Sequence, residues 1–161
     1  MIAVRTASPA RIVPSKAGYE LLPSRFDFGS GSVRLAGKYG TGLTIESRMD
    51  RFDMALLNAF YPGYNIGGKA TGSLDFAQAN PSAFPRADAR LSIDGFTRTT
   101  STMVSQPVDV NFVGTLMTDG GEGRAVIRRR GTVIGRLNAS LSPLGPGAGD
   151  WVSRVTAAPL G

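Results

Sequence analysis

The stretch Gly31-Ser-Val-Arg-Leu-Ala-Gly-Lys-Tyr39, joined through Gly40-Thr41-Gly42 to Leu43-Thr-Ile-Glu-Ser-Arg-Met-Asp50, decides the fold class. Val33, Leu35, Gly37 and Tyr39 share one parity against Arg34, Ala36 and Lys38. Leu43, Ile45 and Met49 likewise oppose Thr44, Glu46, Arg48 and Asp50. Successive side chains of a strand point to opposite faces, so a period of two marks a half-buried strand, and the glycine-rich link makes the two runs a hairpin.

The same alternation continues outward. Ala70, Gly72, Leu74 and Phe76 oppose Lys69, Thr71, Ser73 and Asp75; Ala87, Ala89, Leu91 and Ile93 oppose Asp88, Arg90, Ser92 and Asp94. Further runs are Val108-Val110-Phe112-Gly114-Leu116, a weaker one from Gly123 to Arg130, and Val133-Gly135-Leu137-Ala139-Leu141. Tyr19 to Leu22 and Arg25 to Phe28 read as two shorter strands. One segment departs from the period: Asp53-Met-Ala-Leu-Leu-Asn-Ala-Phe60 puts Leu56, Leu57 and Phe60 on one helical stripe, with Asp53 as N-cap and Pro62-Gly63 as the stop. Leu144 to Gly149 is a Gly/Pro loop, and Trp151 to Leu160 fits either a short helix or a strand whose partner is missing.

A chain of 161 residues, with 42% hydrophobic and 19% charged residues and no cysteine or histidine, fits one domain able to bury a sizeable core. Lacking both residue types, it has no thiolate nucleophile, no Cys/His zinc site and no Ser-His-Asp triad. The carboxylates sit on polar strand parity (Glu46, Asp50, Asp75, Asp88, Asp94, Asp109) or in turns (Asp119, Glu122), and Asp53 is accounted for as a cap. The glycine clusters lack the lysine of a phosphate loop. The reading is a non-catalytic protein, with no catalytic residue, cofactor or metal assigned.

The net charge of +6 suits nucleic acid or anionic headgroups. Base stacking needs interleaved aromatics, which the basic face (Arg34, Lys38, Arg48, Lys69, Arg90, Arg136) lacks, so nucleic acid is not expected. Arg128-Arg129-Arg130 before Gly131 reads as a hairpin tip whose charge discourages edge pairing. The N-terminus has no apolar core of a secretory signal, and no window reaches the ~18 apolar residues of a membrane-spanning helix.

Gly37, Gly72, Gly114 and Gly135 fall inside strands on the apolar parity, where they suggest a strongly curled sheet. The lining of that face is Val33, Leu35, Leu43, Ile45, Leu74, Phe76, Leu91, Ile93, Val110, Phe112, Leu116, Val133, Leu137 and Leu141. With one short helix available as cover, such a face closes on itself as a sandwich or barrel core, meets another sheet, or holds a ligand such as an acyl chain.

The run Asp53-Met-Ala-Leu-Leu-Asn-Ala-Phe-Tyr-Pro-Gly63, followed by Ile66-Gly-Gly-Lys-Ala-Thr-Gly-Ser-Leu74, resembles the TamB (translocation and assembly module) proteins of the AsmA-like group. In these a short amphipathic helix ends at a Pro-Gly turn before a strand of the form G-x-A-x-G-x-L. The resemblance covers roughly residues 10 to 160. It implies a mainly β fold, a curved antiparallel sheet shaped as a β-taco or half-pipe groove with one short amphipathic helix, spanning residues 1–161 as a single segment. It also implies phospholipid acyl chains as cargo, a link to outer-membrane β-barrel proteins, and a place in the periplasm and cell envelope. Family members are long and anchored in the inner membrane. This chain, without anchor or signal, is read as an internal or truncated segment whose edge strands meet neighbouring segments of a longer chain.

Overall fold

The computed structural model describes residues 4–143 and 151–159. Its strands are β1 (Val4–Thr6), β2 (Ile12–Ser15), β3 (Gly18–Phe28), β4 (Gly31–Tyr39), β5 (Leu43–Asp53), β6 (Ile66–Gln78), β7 (Arg86–Arg98), β8 (Val108–Met117), β9 (Gly120–Arg129), β10 (Thr132–Pro143) and β11 (Trp151–Pro159). All lie in one open antiparallel sheet in the order β1-β3-β4-β5-β6-β7-β8-β9-β10-β11, with β2 also paired to β3. From β3 onward every strand lies beside its neighbours in sequence, so the sheet is a meander of hairpins. It is mainly β and curved, and it is not closed into a barrel.

The hairpin turns follow from their residues. Arg129 pairs with Thr132 across the two-residue loop Arg130-Gly131, where both φ angles are positive (51° and 83°). That is a type I′ turn, whose twist matches the strands it joins. The expected hairpin across Gly40-Thr41-Gly42 is present, with Tyr39 opposite Leu43. Trp151–Pro159 is a strand, and its partner is β10. The Leu144–Gly149 loop lies outside the described residues.

Single-residue register shifts bend the meander. The two short strands expected around Tyr19 and Phe28 are one strand, β3, with a bulge between Leu21 and Ser24. Pro23 sits in that bulge, where its missing N–H costs no ladder bond. Similar shifts occur at Arg51 in β5 (φ 50°) and between Ile93 and Phe96 in β7, where the N–H of Gly95 donates to Asp109 Oδ1 at 2.9 Å.

The helix expected over Asp53–Phe60 is a 3-10 helix, Met54–Ala59. Asp53 does cap it, accepting from the N–H of Ala55 at 3.0 Å. Six residues are too few to sustain an α-helix without packing, and the tighter three-residue turn ends the stripe. Phe60 is therefore 78% exposed, while Leu56 and Leu57 are half-buried. Asn58 fixes the return: its Nδ2 donates to Ile66 O at 2.8 Å, and its Oδ1 accepts from Ile66 N at 3.0 Å.

Candidate functional site: an uncovered apolar face

Cross-strand register sorts the apolar parity into rows that run across the strands. One row is Ser24-Leu35-Ser47-Leu74-Ala89-Gly114-Gly123-Ala139-Val155. On one side of it lies Phe26-Val33-Met49-Gly72-Leu91-Phe112-Ala125-Leu137-Ala157, and beyond that Phe52-Ala70-Ile93-Val110-Ile127-Gly135. On the other side lies Leu21-Gly37-Ile45-Phe76-Ala87-Leu116-Gly121-Leu141, with Leu43 one step further out beside Tyr39.

All the residues expected on this face are there except Val133. The register of β10 shifts between Val133 and Gly135, so Val133 pairs with Arg128, and Arg128 with Asp109. The extra residue reverses the alternation and puts Val133 in a row of the polar face.

Little covers these rows. The buried hydrophobic residues are Val33, Ala70, Ala89 and Ala125, and among the described residues no large side chain is fully buried. Leu74 is 40% exposed and Ile45 38%. An open concavity of about 370 Å³ lies over β7 to β11, lined by Ala87, Ala89, Phe112, Leu116, Ala139, Leu141 and Val155.

The interior glycines play different parts. A Cβ on Gly72, at φ 139°, would overlap the carbonyl oxygen of Arg90 on the neighbouring strand, so this position admits glycine alone. At Gly114 the space is already filled by the ring of Phe112 (Cζ at 2.7 Å from a Cβ position), which also reaches over Gly123 (Cε2 at 3.2 Å). The aromatic ring thus shields two backbone segments that lack side chains of their own. Gly135 meets only ordinary contact, with Ala158 O at 3.8 Å.

Two serines occupy the same face and went unnoticed among the aliphatic residues, although Ser47 shares the parity of Ile45 and Met49. Both are buried. Ser24 Oγ donates to Leu22 O and Ser47 Oγ to Leu74 O, each at 2.8 Å. Their hydrogens are taken up by the backbone, as a polar group in an apolar floor requires.

The opposite face is charged in stripes. Arg25, Arg34 and Arg48 stand directly across from one another, and the same row continues through Ser73 to Arg90 and on through Val113 to Arg124. The adjacent row holds Glu46, Asp75, Asp88 and Glu122. Like charges directly opposite repel, and diagonal pairs between the rows offset this. Arg48 takes Asp75 with both terminal nitrogens, and that hydrogen bond raises the Arg48 pKa.

At the rim, Lys69 Nζ donates to Asp53 Oδ2 at 2.9 Å. Burial alone would raise the Asp53 carboxyl. The hydrogen bonds from Lys69 and from the Ala55 N–H, together with the Lys69 charge, outweigh burial and hold it below the ordinary aspartate range. Among the described residues no three carboxylates converge to hold a metal ion. Compared with known proteins, the chain matches no family model, no curated protein and no solved structure.

Proposed function

We propose that this chain is a non-catalytic lipid-binding segment of a bacterial envelope protein, its apolar face holding phospholipid acyl chains as the resemblance to TamB proteins implies. The observation that carries the reading is the aliphatic face itself: rows of Leu, Ile, Val and Ala run from β3 to β11, and large members of them, Ile45 and Leu74, stay solvent-exposed. Such a surface gains about 0.8 kcal/mol for each CH₂ it takes from water, spread over many weak contacts. Ser24 and Ser47 leave no free hydroxyl hydrogen to hold a polar guest. On this reading the segment works in the periplasm, with β1/β2 and β11 continued by neighbouring segments of a longer chain.

The test is to purify the folded chain from a bacterial host and count bound phospholipid by native mass spectrometry. Stoichiometric phospholipid is expected, and its loss in Leu74→Arg, Leu91→Arg or Leu137→Arg with unchanged circular dichroism. A wild-type chain that carries no lipid, or arginine variants that carry as much as wild type, sinks the proposal.

A second reading rests on β11, the last strand of the sheet, exposed from Val152 to Pro159. An unpaired edge is a template for another strand, here one from an outer-membrane β-barrel protein. Proline at whichever of Arg154 or Val155 points its N–H away from β10 removes an outward donor and leaves the apolar face intact. Loss of client binding with lipid retained favours the edge; the reverse favours the groove.

A further inference from the structure

The connections at the two ends of the strands differ in chemistry. At one end β3–β4, β5–β6, β7–β8 and β9–β10 are joined by residues 29–30, 54–65, 99–107 and 130–131, and none of these segments contains Asp or Glu. The second displays Phe60 (78% exposed), Tyr61 (63%) and Tyr64 (59%), and the third displays Met103 (70%) and Val104 (62%). Arg98, Arg129 and Arg130 stand exposed among them. Strands lie ~4.8 Å apart, so successive connections follow one another at about 10 Å along this rim. At the opposite end, residues 16–17, 40–42, 79–85 and 118–119 display no exposed large hydrophobic residue of their own; Tyr19, Tyr39 and Met117 are exposed on the flanking strand ends, and the charges of Lys16 and Asp119 offset each other.

The exposed side chains are held out by main-chain bonds. Residues 99–104 form a small hairpin of their own, with Thr99 bridged to Val104 and the N–H of Thr100 donating to Met103 O at 2.8 Å. Its base is closed by Arg98 and Ser105, whose Oγ accepts from Arg98 N at 2.9 Å. The Tyr61 and Tyr64 rings meet edge to face, with centroids 6.0 Å apart. Rings with a polar tip, apolar side chains and cations at one level make up the composition that favours a bilayer interface.

We propose that this rim docks on the surface of an anionic phospholipid bilayer. Phe60, Tyr61, Tyr64, Met103 and Val104 enter the headgroup layer, and Arg98, Arg129 and Arg130 take its phosphates. Charge complementarity selects this partner: Arg98, Arg129 and Arg130 stand exposed at this rim, whereas the carboxylates at its strand ends, Asp27 and Asp53, are already paired with Arg25 and Lys69. The proposal does not depend on lipid occupying the apolar face.

Co-sedimentation of the whole chain with vesicles tests it, using phosphatidylcholine alone or mixed with phosphatidylglycerol. Binding should rise with the phosphatidylglycerol fraction and weaken with added salt. Arg129→Gln with Arg130→Asn should weaken it about fivefold per arginine removed. Arg130→Asn leaves Asn-Gly, a preferred type I′ pair, so the hairpin survives the change. Phe60→Ser with Tyr61→Ser should also reduce binding, whereas Arg34→Gln on the sheet face should leave it unchanged. Equal binding to neutral and anionic vesicles, no binding to either, or an Arg34→Gln loss as large as that of the rim variants overturns the proposal. Leu91→Arg separates the two readings: it should empty the apolar face of retained phospholipid and leave vesicle docking in place.

Discussion

Replacing Gly72 by alanine puts a methyl group where the carbonyl of Arg90 already stands, at a φ of 139° that L side chains rarely adopt. A non-glycine residue in such a region costs of order 1–3 kcal/mol before any overlap is relieved. Relieving it means moving β6 away from β7 at the centre of the sheet, so the total comes to about 3 kcal/mol or more, within the range of severe single substitutions. The companion change, Gly135→Ala, adds the same methyl group at a site whose nearest contact is the ordinary 3.8 Å to Ala158 O. It should stabilise by about 0.5 kcal/mol, because alanine loses less chain entropy than glycine. Urea unfolding followed by circular dichroism separates the two. With an m-value near ~2 kcal/mol/M, the Gly72→Ala midpoint falls by about 1.5 M while that of Gly135→Ala stays level or rises slightly. A Gly72→Ala protein as stable as wild type would show that β6 and β7 are not held at this close approach.

Asp53→Asn keeps a good helix cap and removes a charge, so it isolates the pairing with Lys69. The folded-state carboxyl titrates below its unfolded value. The contribution, about 1 kcal/mol after allowance for partial exposure, is therefore complete above the unfolded pKa near ~3.9 and is lost as pH falls through the folded pKa. The gap between wild type and variant in urea titrations should be constant at neutral pH and close in acid; a gap that persists to the lowest pH contradicts the assignment. Asn58→Asp sets a carboxylate oxygen against the Ile66 carbonyl in place of a donor and should cost about 1–3 kcal/mol, with faster amide exchange at Ile66 as the local signature. Ser47→Ala removes the hydrogen bond to Leu74 O and should cost about 1 kcal/mol in thermal unfolding, without loss of retained lipid.

The strands were legible because one face is wet: the alternation from Val33 to Leu141 records the pleat residue by residue. The weak run before Arg130 is β9, whose apolar parity carries Gly121 and Gly123 because Leu116 and Phe112 of the adjacent strand lie over them. That compensation comes from a neighbouring strand, so β9's own sequence conceals it. Bulges are hidden for a related reason. The shift at Val133 leaves an unbroken apolar pattern and is set only by how β10 meets β9. The arginine stripe was equally unreadable, since Arg34, Arg48 and Arg90 become neighbours only once the register is known. Asp53 was read correctly as a cap because capping is local. An α-helical period puts Phe60 on one stripe with Leu56 and Leu57, whereas the segment turns every three residues and ends at Ala59.

The strand order carries a consequence for how the molecule comes apart. From β4 to β10 each strand is bonded to its predecessor and its successor in the chain and to no third strand, so the sheet behaves as a one-dimensional lattice. Its stability becomes a sum of nearest-neighbour couplings, and melting should proceed as fraying inward from the ends, β1/β2 and β11 first. Excising one hairpin, such as β9 with β10, would shorten such a lattice without scrambling it, and the low sequence separation of its contacts favours rapid zippering when it reforms.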